Sequence, residues 1–183
     1  MSRVVIRDAR SCVAAAAIAA ALMLGGCAAP ATSTGMVPAS FDVQKRQTGS
    51  VGVNVTGGRE TEAIGLPQVS NAAFQEAVVA SLKSAGSFST VAEGPGGDFR
   101  LSIQIFRMQG PVAGLKMTSN MEAGWTLMRA ATNAVVWQEA IESEYTATVN
   151  DAFSGAERAR ISAEGAAREN IRKALARLSR VAL

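Results

Sequence analysis

Apolar and polar positions alternate most regularly over residues 98–105, where Phe99, Leu101, Ile103 and Ile105 interleave with Asp98, Arg100, Ser102 and Gln104. A period of two places one set on each face of a strand, so this segment is predicted to be half-buried. The same period appears at Val51, Val53 and Val55 before Gly57-Gly58, and again where Met117, Met121, Ala123, Trp125 and Leu127 share a face. A short strand is predicted from Phe88 to Glu93. A long one carries Val135, Trp137, Ile141, Tyr145 and Val149 after a turn at Thr132-Asn133. Strands joined by short loops pair antiparallel, which makes 98–149 a three-stranded meander. Residues 57–68 read as a mobile loop, and Gly94-Pro95-Gly96-Gly97 as a turn.

Two segments switch to three- and four-residue steps. The first places Phe74, Ala77, Val78, Ser81, Leu82 and Ala85 on one face, with Ser70 as N-cap, Val69 and Phe74 as a hydrophobic staple, and Gly86 in the left-handed position after the last turn. The second runs from about Ser154 to Val181, with Ser154 and Glu157 in capping-box spacing and Ile161, Ile171, Leu175 and Leu178 recurring on its apolar side. Its Ala159, Ala163, Gly165, Ala166 and Ala167 permit close approach to a sheet. The prediction is a single α+β domain over residues 49–183, a two-layer sandwich with two helices on one face of a mostly antiparallel sheet.

The N-terminus follows a different pattern. Arg3, Arg7 and Arg10 precede a 12-residue apolar run from Val13 to Leu24, too short for the ~20 residues of a permanent membrane span and typical of a cleaved export signal. The string Leu24-Gly25-Gly26-Cys27 then resembles the bacterial lipobox. That resemblance implies diacylglyceryl transfer to the Cys27 thiol, cleavage between Gly26 and Cys27, and acylation of the new amino terminus. It also implies outer-membrane delivery facing the periplasm, because retention at the inner membrane is typically signalled by Asp in the place held here by Ala28. Residues 1–26 are thus expected to be a signal peptide, and 27–48, rich in Ala, Pro, Thr and Ser, a lipidated cysteine and flexible tether.

Composition narrows the chemistry. The 183 residues include no His and two Cys, both within the first 27. Ser/His/Asp and Cys/His catalysis, His-based zinc sites and an internal disulfide in the folded domain are therefore excluded. The formal charge of +3 falls to 15 bases against 14 acids once Arg3, Arg7, Arg10 and Asp8 are removed with the signal. That balance gives no support to nucleic-acid binding, and neither a cofactor nor a metal site is expected.

Among candidate sites, Glu142 and Glu144 lie on one side of a strand with Glu139 on the other, the only arrangement here for a catalytic acid pair, although a solvated strand face is the simpler and favoured explanation. Phe74, Trp125, Trp137 and Tyr145 are candidates to line an apolar groove, against the simpler role of core. Arg168, Arg172, Lys173 and Arg177 are candidates for a basic surface facing anionic headgroups or an acidic partner.

The order of lipobox, Val-rich strand, helix ending at Gly86-Ser87-Phe88, strand opening Asp98-Phe99-Arg100-Leu101 and later strand with Trp125 resembles the ABC-type transport auxiliary lipoproteins over about residues 50–150. The block Asp151-Ala152-Phe153-Ser154-Gly155, followed by Arg158, Arg160, Glu164-Gly165-Ala166, Arg168 and Asn170-Ile171, is more closely similar to proteobacterial lipoproteins without an assigned activity. Together these resemblances imply a non-enzymatic lipoprotein of the cell envelope, partnered by membrane lipid and an envelope protein complex, with a lipid- or small-ligand-binding module as the alternative.

Overall fold

The computed structural model describes residues 29–183 except Pro95. Its elements are β1 (Gln47–Thr56), α1 (Asn71–Ala85), β2 (Phe88–Glu93), β3 (Phe99–Gln109), β4 (Met117–Arg129), β5 (Val135–Ala147) and α2 (Gly155–Leu178). The five strands form one open sheet in the order β2-β1-β3-β4-β5, and both helices pack against its apolar face. The α+β reading is correct, and β3, β4 and β5 form the expected antiparallel meander. Both neighbours of β1 run parallel to it, so the sheet is mixed, with two parallel and two antiparallel pairings.

The parallel half has a compact explanation. β2 pairs with β1 from Gln47 to Val53, whereas β3 pairs from Val51 to Thr56. The chain leaves β2 on one side of β1 and crosses over it to start β3 on the other. Gly52 lies under this crossing: a Cβ there would stand 2.2 Å from the Gly96 carbonyl oxygen and 2.3 Å from that of Gly94. Only a residue without a side chain lets the two backbones approach this closely.

Helix α1 forms as its sequence predicts. The Ser70 hydroxyl accepts from the Ala73 N–H, Gly86 is left-handed, and Phe74, Ala77, Val78, Ser81 and Leu82 are buried. At α2 the boundary is right but the cap differs. Ser154 makes no side-chain cap bond, and the Glu157 side chain, instead of reaching back, turns forward to pair with Arg160. The loop read as mobile is tied at its base by Arg59 N–H to Val69 O (3.0 Å), and Thr61 and Gln68 bond to each other.

The expected tether over 27–48 requires correction. From Ala31 onward this segment packs on the domain: Ala31 and Met36 belong to the core, Thr34–Met36 forms a 3-10 turn, and Gln47 already opens β1. Its composition is that of a linker, but one Met at the right place suffices to fill a gap beside α2.

Candidate functional site

Cys27 and Gly26, the positions of predicted lipidation and cleavage, lie outside the described residues. The chain becomes anchored immediately afterwards. Thr32 donates twice to Glu164 Oε1, from its backbone N–H at 2.8 Å and its hydroxyl at 2.7 Å. Arg160 pairs with the same carboxylate from one helical turn earlier. Arg168 Nη1 donates to Gly35 O at 2.7 Å while its guanidinium lies over the Tyr145 ring, 5.2 Å from the centroid. Glu164 is buried, so these bonds replace the water it gives up. Farther along, Gln44 N–H bonds Ser179 Oγ, and Gln47 Nε2 bonds Val181 O. Residues 32–47 therefore follow α2 in the helix's own direction.

The four aromatic residues expected at a groove do not form one. Phe74 and Trp125 are fully buried against each other in an edge-on pair with ring centroids 6.2 Å apart, filling the space a ligand would need. Trp137 and Tyr145 are half-buried at the margin of the core. Trp125 also serves a polar role. Its Nε1–H donates to Asn170 Oδ1 at 2.9 Å, and Asn170 Nδ2 donates to Ile141 O at 2.7 Å. Ser143 Oγ reaches Ala166 O, and the Ser119 and Ser162 hydroxyls meet at 2.7 Å. These bonds stitch α2 to β4 and β5 through an interior where unpaired polar atoms would be costly.

Glu142 and Glu144 lie together on the exposed outer face of β5, an edge strand, opposite Glu122 and Asn120 of β4. With Arg107, Gln109 and Lys173 they border an open depression of about 570 Å³. Arg107 pairs with Glu122 at 3.4 Å, and Lys173 Nζ donates to Glu142 O at 2.9 Å. Both side chains are exposed to solvent. Such a face is suited to polar contact with another surface. Among the described residues no three His, Cys, Asp or Glu side chains are grouped to hold a metal ion.

The four bases expected as one basic surface are each engaged. Arg168 holds Gly35, Lys173 holds the Glu142 carbonyl, Arg172 pairs with Glu169 at 2.7 Å, and Arg177 pairs with Glu139. The two ion pairs compensate their charge locally, so this face of α2 is less cationic than the sequence implies.

Comparison with known proteins adds the fold. No family model and no curated protein matches the chain. Among solved structures, protein XCC0632 from Xanthomonas campestris, of family DUF330, is similar with a TM-score of 0.54 at 15% identity, over 82% of this chain and 91% of that one. Protein CT253 from Chlamydia trachomatis is similar with a TM-score of 0.51 at 13% identity, over 73% and 96% of the two chains. A Caulobacter crescentus protein proposed to be a lipoprotein gives a TM-score of 0.48 at 14% identity, over 70% and 87%. At these identities the likeness is one of architecture.

Arg158, read in the sequence only as part of the C-terminal block, has a structural task that the sequence did not reveal. It is buried at the start of α2, and its guanidinium donates to three backbone carbonyls: Phe153 at 2.6 Å, Ala152 at 3.0 Å and Gly114 at 3.2 Å. It thereby fastens the β3–β4 and β5–α2 loops together. The visible signal was a run of charged residues in an otherwise Ala-rich helix, where Arg158, Glu164, Arg168 and Asn170 all turn inward or grip the N-terminal segment.

Proposed function

We propose that the protein is a lipid-anchored lipoprotein of the cell envelope, tethered at Cys27 to the periplasmic face of the outer membrane, whose domain is a non-catalytic accessory or adaptor of an envelope or transport assembly. The observation that carries this reading is the placement of Ala31 in the core only four residues after the lipobox cysteine. An acyl anchor at that position holds a folded domain close against the leaflet, and two or three acyl chains together retain it stably. The open polar face bearing Glu142 and Glu144 supports an adaptor, since both side chains are exposed on an edge strand that a partner surface can reach.

Metabolic labelling with a palmitate analogue tests the anchor: the parent is labelled and fractionates with outer membranes, and Cys27→Ser is unlabelled and leaves them. A Cys27→Ser protein that fractionates as the parent does would overturn the reading. For the adaptor role, a photo-crosslinker placed at Glu144 in native membranes should capture a defined envelope protein. Failure to capture one, together with loss of the cellular phenotype in Glu142→Gln/Glu144→Gln at unchanged abundance, would favour catalysis instead.

A further inference from the structure

Three loops close one end of the sheet, namely 57–70 after β1, 110–116 between β3 and β4, and 148–154 between β5 and α2. They share that end because β1 and β3 run parallel while β4 runs against β3 and β5. Ile64, Val112, Leu115 and Phe153 stand there 93%, 88%, 74% and 98% exposed, with Leu66 and Val149 about half exposed. An apolar cleft of about 210 Å³ between the loops is lined by Leu66, Pro67, Pro111 and Met117. Exposed hydrophobic side chains on a soluble surface are ordinarily scattered, and a concentration of them marks a contact surface. Arg158, bonded to Gly114 O, Ala152 O and Phe153 O, holds two of the loops in place.

The N-terminal segment indicates what covers this end. Between Thr32, bonded to Glu164, and Gln44, bonded to Ser179, the chain follows α2 from its third turn to its last. It therefore arrives from the loop side. Cys27 precedes Thr32 by five residues, a span of at most about 17 Å fully extended. From Glu164 the start of α2 at Gly155 is ~14 Å along the helix axis, and its end at Leu178 is ~21 Å in the other direction. A leash of at most that length lets a lipidated Cys27 reach the level of the apolar loops, whereas the opposite end of the helix lies beyond its span. The loops carry Arg59 and Lys116 against Glu60, Glu62 and Asp151, so their attraction to a bilayer would be apolar rather than electrostatic.

We infer that the end of the domain bearing Ile64, Val112, Leu115 and Phe153 docks on the lipid leaflet that holds the acylated Cys27, fixing the domain's orientation on the membrane. This inference rests on the lipid-anchor reading. The test uses the full chain, purified from membranes and reconstituted into phosphatidylethanolamine/phosphatidylglycerol vesicles. Because acylation consumes the Cys27 thiol and Cys12 lies in the signal segment, one added cysteine can be labelled selectively. Val112→Cys and Phe153→Cys report on the loop end, and Thr132→Cys, in the β4–β5 turn, reports on the other. An environment-sensitive dye at 112 or 153 should be blue-shifted and quenched several-fold more by spin-labelled acyl chains than one at 132, with little change on adding salt. Equal water exposure of all three dyes in a protein palmitoylated at Cys27 would overturn the docking and leave the anchor standing. Shielded dyes without lipid quenching, with copies cross-linking through position 112, would assign the end to a second copy and overturn it too. Absence of acyl label on Cys27 would overturn both readings.

Discussion

Individual polar residues carry much of the specificity of this interior. Asn170 satisfies the Trp125 N–H and the Ile141 carbonyl at once, so Asn170→Ala leaves two buried groups unpaired. Its expected cost is about 2–3 kcal/mol in urea unfolding, with a red shift in tryptophan emission as Trp125 gains access to water. Acid sensitivity is also residue-scale. Asp98 accepts from the Ser50 N–H and hydroxyl, and Asp151 from those of Thr148, which holds both carboxyls below the ordinary aspartate value of 3.8. A group whose folded pKa is depressed contributes fully above its unfolded pKa and loses that contribution as pH falls through the folded one. The contribution of these two groups should therefore be level above pH ~5 and be lost as the pH falls below 3.8 towards their lower folded values. Asp98→Asn should flatten part of that decline in unfolding curves recorded across the acid range. The sequence showed Asp98 as the head of a strand motif. What it does there, clasping the start of β3 to Ser50 across 48 residues of chain, required the fold.

Elements were the most legible level, because period and caps are local. The alternation of Phe99, Leu101, Ile103 and Ile105 places them in the core as expected, and Ser70 and Gly86 bound α1 as their chemistry requires. The parallel placement of β2 and β3 about β1 was not legible, since nothing local distinguishes a turn that crosses over a strand from one that returns beside it. Gly52, under that crossing, was its one trace. Helix packing was legible in kind, since the small residues of α2 announce a close approach, but its partner was not. A Cβ on Gly165 would lie 2.2 Å from the Tyr145 ring, so α2 approaches β5 as closely as it does only because this position is bare. Gly165→Val is expected to cost about 1–3 kcal/mol by overpacking. Tyr145→Ala in the same chain should recover part of it, which a double-mutant cycle measured by denaturant unfolding would detect.

Over the whole molecule, the main departure from the sequence reading is the docked segment 31–46. Met36 is fully buried against elements at the far end of the chain, so Met36→Ala should lower stability by about 2–4 kcal/mol in urea unfolding, a loss no free linker residue would cause. Composition misled here because linker-like sequence specifies no local structure, and its partner lies at Glu164, 132 residues onward. The candidate groove failed for a related reason: periodicity reports which residues face inward but not whether the space between them is filled. The separation of Thr32 from Glu164 also sets an order of events during biogenesis. A contact this remote in sequence forms only after nearly the entire polypeptide is available to fold. Until then residues 31–36 have no helix to bind; under the lipid anchoring proposed above, that interval is when the acylating and cleaving enzymes would reach Cys27, before the newborn domain closes over the segment that follows it.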